Sequence, residues 1–438
     1  MALSTRPYKG ARDFYPEDKR LQKYMFGKWR AVAEQFGYEE YDAPILEPLE
    51  IYLAKTGDEI VNEQTYVFED RGGRKVVIRP EMTPTVSRMV AAKRQELAYP
   101  LRWYSIPNLW RYERPQRGRL REHWQLNVDI FGVASVVAEQ EIITLVDETF
   151  KAFGATEEMY DIRLNHRQLV NYLLREYLGL DEATTHNISK LIDRMAKLER
   201  SVFVAQAEAL LSPADKSAGL LEKLLAILDA EQLSDLPEEA HKQPSYDEVA
   251  QTLTALRASG IKNIRFDVGL MRGFDYYTGI VFEVFDRHPD NNRSMLGGGR
   301  YDGLVGLFGV APVPTVGFGW GDVTLANFLE IHDLLPPLPP ETDAYVALVG
   351  DVTEAAHQPL AELRAAGLNL AVDLSGRKIG DQFKSAERKG LVRVLIIGED
   401  ELQAGSFTLK NLATGDEAKY SLAELIDVMR AAKTDAGY

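Results

Sequence analysis

An arginine-rich segment between residues 102 and 121 is the part of the sequence best suited to binding a negatively charged ligand. It contains six arginines and no lysine, against one acidic residue, Glu113. The planar guanidinium group forms paired hydrogen bonds with phosphate or carboxylate oxygens. Pro115 and Gly118 predict a loop between two strands. Charge-rich segments are usually solvated hairpins, but the net charge of this chain is −15, so we interpret the local excess as a polyanion-binding site.

Three further segments carry residues suited to a small-molecule site. Residues 79–84 place an acid and a hydroxyl between two prolines, although a turn cap explains this pattern better. Residues 271–283 combine an arginine, two tyrosines and a strand-like run, which favours a pocket wall and a surface hairpin equally. The three consecutive glycines within residues 296–303 would let the backbone approach a ligand closely. The chain lacks the phosphate-loop and dinucleotide fingerprints, so a nucleotide would have to bind by another route.

The composition limits the available chemistry. The 438 residues include no cysteine, which excludes disulfides, thiolate metal sites and cysteine nucleophiles. The seven histidines include no H-x-x-x-H pair, and we assign no metal ligand among the side chains. No run approaches the roughly 18 consecutive apolar residues of a membrane span, and the first residues lack the apolar core of a signal peptide. We therefore expect a cytoplasmic protein without a membrane partner.

Hydrophobic spacing predicts the elements that must position these segments. Apolar residues recur at helical intervals over residues 17–36. Strand-like runs follow at residues 75–79, 101–105 and 126–131. From about residue 160 to 258 the pattern predicts helices only, and strand-like sequence returns between residues 264 and 318. The first domain therefore looks interrupted by an insertion and then resumed.

A proline-rich linker predicts a second domain. Residues 336–340 hold four prolines, which disfavour both helix and central strand. Strands and helices alternate after the linker in the order βαβαβ, which predicts a small α/β domain with a largely parallel sheet over residues 341–438. We assign residues 1–158 and 259–335 to the interrupted domain and residues 159–258 to its helical insertion.

Together these segments resemble the class II aminoacyl-tRNA synthetases, and within that class the histidyl-tRNA synthetase family. Residues 8–14 (Tyr-Lys-Gly-Ala-Arg-Asp-Phe) are similar to the family's opening segment. Residues 41–47 resemble motif 1, whose proline lies at the dimer interface, and residues 111–119 resemble motif 2. Residues 272–277 resemble the histidine-specific signature, and residues 297–303 resemble the run that leads into motif 3. The likeness extends over nearly the whole chain.

The resemblance implies a fold, an activity and partners. The fold would be an α+β catalytic domain with a mixed, mainly antiparallel sheet, a helical insertion, and a C-terminal α/β anticodon-binding domain. The activity would be ATP-dependent ligation of L-histidine to tRNA(His) through a histidyl-adenylate. The protein would be a homodimer, and Mg²⁺ would bind with ATP.

The net charge alone disfavours a nucleic-acid partner, but charge acts locally, and residues 376–393 carry six basic residues against two acidic ones.

The resemblance also assigns roles to individual residues. Arg111 would hold the α-phosphate of ATP, and Arg272 would stabilise the charge that develops there. The set implied to bind ATP is Arg111, Glu113, Arg119, His123 and Arg272. The set implied to bind histidine is Glu81, Thr83, Gln125 and Asp129 at the α-ammonium group, with Tyr276, and with Tyr277 and Tyr301 lining the imidazole pocket. The residues implied to contact the tRNA acceptor end are Arg114, Gln116 and Arg117.

Three positions depart from the family pattern. Motif 3 usually carries an arginine that holds the γ-phosphate, but the run at residues 321–325 has none, which leaves Arg119 or Arg300 as candidates to replace it. His123 stands where a phenylalanine usually stacks on adenine, and a neutral imidazole can also stack. Asp129 replaces the commoner glutamate and is one methylene shorter.

Other functions remain open at the level of sequence. The main alternative is the non-catalytic, synthetase-like regulatory subunit of ATP phosphoribosyltransferase, which typically lacks the anticodon-binding domain. About 98 residues follow the proline linker here, which favours the synthetase, whereas the missing motif 3 arginine favours the regulatory subunit mildly. An enzyme that forms an adenylate but charges no tRNA is a further possibility.

Overall fold

The computed structural model describes residues 3–53, 64–271, 277–291 and 293–435. These residues divide into two compact units. The described residues within 1–13 and 22–335 form the first unit, and those within 14–21 and 336–438 form the second. Among the described residues, no helix is both long and apolar enough to cross a bilayer.

Twelve strands lie in the described part of the first unit. They are β1 (Glu39–Glu40), β2 (Leu46–Pro48), β3 (Tyr66–Glu69), β4 (Lys75–Ile78), β5 (Leu101–Ser105), β6 (Asn108–Trp110), β7 (Glu122–Phe131), β8 (Tyr160–His166), β9 (Ile264–Phe266), β10 (Ile280–Asp286), β11 (Ser294–Arg300) and β12 (Thr315–Gly321). Nine of them form one sheet in the order β1-β5-β7-β12-β11-β10-β8-β9, with β6 added to β7. The remaining three form a small sheet in the order β2-β4-β3.

The large sheet is mixed and mainly antiparallel. Only the β1–β5 and β8–β9 pairs are parallel among its described strands. Antiparallel pairing joins β5, β7, β12, β11, β10 and β8 in turn. This arrangement confirms the predicted fold class for the first domain.

Helices cover this sheet and connect its strands. The first helix, Pro16–Gln35, begins at a proline, which suits the first turn of a helix. It buries Met25, Trp29 and Val32 on one face, as the hydrophobic spacing predicted. The helices Thr83–Ala92, Val137–Ala152 and Asp322–Ile331 also flank this sheet, whereas Glu50–Leu53 packs on the small sheet.

The predicted insertion is mostly helical but begins with a strand. Its helices are Arg167–Asn171, the π-helix Tyr172–Tyr177, Glu182–Asp193, Arg200–Leu210, Pro213–Ser217, Leu220–Leu228 and Pro244–Ala258. The expectation of helices only from residue 160 is wrong at its start, because β8 pairs with β10 and β9 in the large sheet. The domain boundaries themselves stay a prediction.

The second unit contains its own sheet and helices. Its strands are β13 (Ala344–Val349), β14 (Leu370–Val372), β15 (Arg393–Gly398), β16 (Ser406–Asn411) and β17 (Glu417–Ser421). Its helices after residue 336 are His357–Ala365, Ile379–Arg388, Glu399–Ala404 and Leu422–Asp435. The sheet order is β14-β13-β15-β16-β17. The predicted parallel pairing holds for β13, β14 and β15, whereas β16 and β17 extend the sheet by antiparallel pairing.

Candidate functional site

Strand β7 presents a row of polar side chains on one face of the large sheet. Successive side chains of a strand point to opposite faces, so His123, Gln125, Asn127 and Asp129 share one face. The neighbouring strand β12 places Gly317 opposite Asp129 and Gly319 opposite Asn127. Glycines of β12 therefore lie beside the polar row, at positions where other residues would project side chains. Because those side chains are missing, the sheet forms a flat floor for a ligand.

Two glycines of β12 lie directly against side chains of β7. A Cβ atom built on Gly317 would overlap the Oδ1 atom of Asp129, and one on Gly319 would lie 2.5 Å from Nε2 of Gln125. Real Cβ contacts are essentially never that short. Glycine at these two positions therefore lets Gln125 and Asp129 lie over the neighbouring strand.

A cavity of ≈ 280 Å³ opens above this floor. It brings together ten of the residues that the sequence assigned to substrate binding: Glu81, Thr83, Arg111, Glu113, Arg119, His123, Gln125, Asp129, Tyr277 and Tyr301. Residues from β7, β11, β12, the loop between β6 and β7, and the start of the helix Asp322–Ile331 all contribute to its wall. Segments far apart in sequence therefore meet at one site.

Three of the described residues that the sequence assigned to the site are not in the wall of this cavity. Arg114, Gln116 and Arg117 are exposed on the loop between β6 and β7. In that loop Gln116 and Arg119 exchange backbone hydrogen bonds of 3.0 and 2.9 Å. Arg272 and Tyr276 lie outside the described residues, and their roles stay predictions.

Two arginines stand at one end of the cavity. The Nε atom of Arg111 donates a 2.9 Å hydrogen bond to the carbonyl oxygen of Pro80, and among the described residues no ion pair engages its terminal nitrogens. Arg119 Nη1 lies 3.2 Å from Glu113 Oε2, and the Arg119 side chain is 44% exposed. Paired guanidinium groups suit phosphate or carboxylate oxygens.

His123 is uncharged in this setting. Burial and the nearby guanidinium groups of Arg111 and Arg12 lower the pKa of His123 to about 3. A neutral imidazole presents a flat ring without the cost of burying a charge. The structure therefore gives His123 the properties expected of a residue that stacks on a planar base.

An ion pair between the half-buried Arg12 and the buried Asp322 holds the strand next to His123. Asp322, the first residue of the helix Asp322–Ile331, accepts a 2.7 Å hydrogen bond from Arg12 Nη2 and a 3.0 Å hydrogen bond from the Trp124 backbone N–H. Burial raises the pKa of Asp322, and Arg12 opposes that rise. The pair ties the amino-terminal segment, β7 and this helix together at the wall of the cavity.

The other end of the cavity contains a buried acid. Asp129 is 5% exposed and accepts a short hydrogen bond from the hydroxyl group of Tyr301, which is itself buried. Burial raises the pKa of Asp129 to about 7, although the Tyr301 hydrogen bond opposes the rise. A ligand that brings a positive charge or a hydrogen-bond donor to this position would favour the ionised carboxylate.

Arg300 does not reach the cavity. Its Nε and Nη2 atoms each lie 2.7 Å from a carboxylate oxygen of Glu139, and Nη1 and Nη2 donate to the carbonyl oxygens of Val133 and Ser135. Both charged groups are buried. The suggestion that Arg300 replaces the missing motif 3 arginine is therefore wrong, because this side chain is already fully engaged. Arg119 remains, since it lines the cavity.

The structure adds cavity residues that the sequence analysis did not select. Asn127 and Glu283 are both buried and line the cavity. Asn127 lies between Gln125 and Asp129 in the two-residue repeat of β7, so that repeat could have identified it. Glu283 lies opposite Gly297 on the neighbouring strand, and only the pairing of β10 with β11 brings it to the site.

The cavity offers little to a metal ion held by protein alone. Among the described residues, no group of three or more histidine, aspartate or glutamate side chains is placed to hold a metal ion. Mg²⁺ commonly binds through one or two carboxylates together with substrate phosphates. The acidic residues present fit that second arrangement, in which the ion arrives with a phosphate-bearing substrate.

Comparisons with known proteins identify the family of this chain. The family model described as histidyl-tRNA synthetase matches residues 10–321, and the model described as anticodon binding domain matches residues 343–432. The histidine--tRNA ligase of Leptospira biflexa is 44% identical over 430 residues, which is 98% of this chain and 98% of that relative.

Solved structures share the fold. A histidyl-tRNA synthetase from Nostoc sp. PCC 7120 has a TM-score of 0.82 at 23% identity and covers 98% of this chain and 100% of its own. A Bacillus halodurans protein described as an ATP phosphoribosyltransferase regulatory subunit/histidyl-tRNA synthetase has a TM-score of 0.73 at 25% identity. It covers 91% of this chain and 100% of its own.

Proposed function

Because the chain belongs to the histidyl-tRNA synthetase family, we propose that the cavity above β7, β11 and β12 is where it activates histidine. The chain ligates L-histidine to tRNA(His) at the expense of ATP, through a histidyl-adenylate. The observation that carries the proposal is the meeting of an arginine end and a buried acidic end within one cavity. The first suits a phosphate-bearing substrate, and the second suits a small amino acid with a polar side chain.

In the first step, histidine reacts with ATP. A carboxylate oxygen of histidine attacks the α-phosphorus, a new P–O bond forms, and the bond to the bridging oxygen breaks. Pyrophosphate leaves with that electron pair. Arg111 would hold the α-phosphate and stabilise the negative charge that develops there, since fixed cations are the main requirement for such a displacement. Arg272 is proposed for the same task on the basis of the family resemblance alone.

Histidine would lie at the acidic end. Glu81, Thr83, Gln125 and Asp129 are proposed to bind its α-ammonium group. The tyrosines proposed to hold the histidine, Tyr276, Tyr277 and Tyr301, include two from the cavity wall. The hydrogen bond from Tyr301 supports an ordered position for the Asp129 carboxylate.

ATP would extend from Arg111 towards His123. The neutral ring of His123 is proposed to stack on adenine, and Glu113 and Arg119 to contact the rest of the nucleotide. Mg²⁺ would arrive with ATP and neutralise phosphate charge, and Glu113 and Glu283 are proposed as the carboxylates of the cavity that would hold it.

In the second step, the terminal ribose hydroxyl of tRNA attacks the carbonyl carbon of the adenylate, and AMP leaves. Arg114, Gln116 and Arg117 are proposed to meet the acceptor end of tRNA. Their exposure on the loop beside the cavity supports this role, as does the absence of an ion-pair partner for either arginine among the described residues.

We also propose that the chain acts as a homodimer. Ile45, Leu46, Val67 and Phe68 are between 43% and 52% exposed and lie on or beside the small β2-β4-β3 sheet. Exposed apolar residues that cluster on one sheet are typical of a protein interface. Sedimentation at micromolar concentration should give the mass of a dimer, and Phe68→Asp should shift it towards the monomer. Cytoplasmic location stays a prediction.

The regulatory-subunit alternative has less support. The anticodon binding domain model matches residues 343–432, a region that the regulatory subunits typically lack. The presence of Arg111 and of the buried Asp129 in the cavity wall also supports activation of histidine.

One assay separates the candidate functions. Histidine-dependent exchange of pyrophosphate into ATP reports the first step, and transfer of labelled histidine to tRNA(His) reports the second. We expect both activities. Absence of exchange in folded protein would contradict the proposal and favour the regulatory subunit, whereas exchange without charging would indicate an adenylate-forming enzyme of another kind.

A further inference from the structure

The described wall of the cavity includes two arginines among its charged side chains. Four carboxylates line it, from Glu81, Glu113, Asp129 and Glu283, against the guanidinium groups of Arg111 and Arg119. Arg119 already lies 3.2 Å from Glu113. A triphosphate carries more negative charge than these two guanidinium groups balance, so a further cation at the arginine end would strengthen its binding alongside Mg²⁺.

The loop between β6 and β7 approaches the helix Asp322–Ile331 at this end. A Cβ atom on Gly118 would lie 3.8 Å from Asn327 Nδ2 and 3.9 Å from Thr324 Cγ2. Thr324 Oγ1 donates a 2.8 Å hydrogen bond to the carbonyl oxygen of Met295, near the start of β11. The loop, the helix and the start of β11 therefore meet at the mouth of the cavity.

Arg293 stands at that meeting point. It immediately precedes Ser294, which lines the cavity, and its Nη2 atom donates a 3.2 Å hydrogen bond to Gln116 Oε1. The side chain is exposed. Within the described part of the chain it forms no ion pair, unlike Arg12, which pairs with Asp322, and Arg300, which pairs with Glu139.

We propose that Arg293 binds the terminal phosphates of ATP, together with Arg119, and then the departing pyrophosphate. The first turn of the neighbouring helix contributes the short, uncharged Thr324 to the wall, so Arg293 supplies the cation from the residue that precedes β11. This inference rests on the proposed function, because it concerns the ATP that the cavity would activate. It places Arg293 in contact with substrate during the first step and independently of tRNA.

The test uses pyrophosphate exchange without tRNA, on the full-length protein. Arg293→Ala should raise the KM for ATP by about tenfold to a hundredfold, the range for losing a hydrogen bond to a charged group, with the KM for histidine little changed. Arg293→Lys keeps the positive charge and should raise the KM less. Arg287→Ala is the matched control. Arg287 is also an exposed arginine and follows the end of β10, and its Nη2 atom lies 3.8 Å from Asp161 Oδ1.

The outcomes separate this inference from the proposed function. Absence of exchange in the wild-type protein would remove the proposed function itself. Normal exchange in the wild type with the same KM for ATP in Arg293→Ala and Arg287→Ala would overturn the inference alone. An effect of Arg293→Ala on tRNA charging but not on exchange would also overturn it and assign the residue to tRNA. An equal increase in the KM for ATP in the alanine and lysine variants would refute the role of the Arg293 charge. Melting temperatures close to the wild-type value are expected, because Arg293 is exposed.

Discussion

Replacing Asp129 by asparagine should stabilise the free protein while impairing its use of histidine. Asp129 is buried, and burial raises its pKa from 3.8 to about 7. One pKa unit corresponds to about 1.4 kcal/mol. Ionisation of the Asp129 carboxyl in the folded state therefore lowers the free energy of unfolding by about 4 kcal/mol. Asparagine carries no charge, and its amide oxygen can still accept the hydrogen bond from Tyr301.

The sign of the pH dependence follows from proton binding. Between about pH 4 and pH 7 the folded state holds the Asp129 proton more tightly than the unfolded state does. The free energy of unfolding of the wild type therefore falls, through this group, as the pH rises through that window, and levels off above about pH 7. Asp129→Asn lacks this contribution, so it should match the wild type near pH 4 and exceed it by up to about 4 kcal/mol at pH 8.

Parallel urea unfolding of the two proteins between pH 4 and pH 8 measures this difference. Intrinsic tryptophan fluorescence is a suitable signal because Trp29 and Trp320 are fully buried in the first unit. All other titrating groups are common to both proteins, so their contributions cancel in the difference. The same variant should show a much higher KM for histidine in pyrophosphate exchange. If the difference in free energy of unfolding between the two proteins does not change with pH, ionisation of the buried Asp129 carboxyl does not destabilise the folded state, and the reasoning is refuted.

The remaining predictions concern the ATP end and the floor of the cavity. Arg272→Ala should lower kcat for adenylation by roughly 10²–10³, the cost of losing one charge-stabilising contact, and an unchanged kcat in folded protein would remove Arg272 from the mechanism. His123→Phe should leave the KM for ATP equal or lower, because the imidazole with a pKa of about 3 is already neutral, and a large increase would reveal a polar role. Gly317→Ala should abolish histidine-dependent exchange, because its Cβ atom overlaps the Asp129 carboxylate, and wild-type exchange rates would contradict this packing.

Elements with a local signal were predictable from sequence. The helix Pro16–Gln35 agrees with its predicted range of residues 17–36 to within one residue, because one apolar stripe recurs at helical intervals. Strand β5 was predicted with its observed bounds. Strand β8 was missed, because it is buried almost throughout and its partners β9 and β10 lie about 100 residues further along the chain. Pairing over such a distance leaves no local pattern in the sequence.

The same distinction applies to the candidate site. The family motifs selected ten residues that share one cavity, and the two-residue repeat of β7 would have added Asn127. Arg300 is held by Glu139, which lies on a separate helix. The sequence does not show this ion pair, so Arg300 was a candidate to bind the γ-phosphate. The position of Arg293 likewise depends on the loop that carries Gln116. Side chains whose role is decided by a distant partner were the ones that sequence could not assign.

The most direct test of the account is a crystal structure with ATP and histidinol, which lacks the carboxylate and cannot react. We expect the α-phosphate within hydrogen-bond distance of Arg111, adenine against His123, and the histidinol amine and ring between Glu81 and Tyr301. ATP or histidinol bound outside this cavity, or adenine placed at Asp129, would contradict the proposed site.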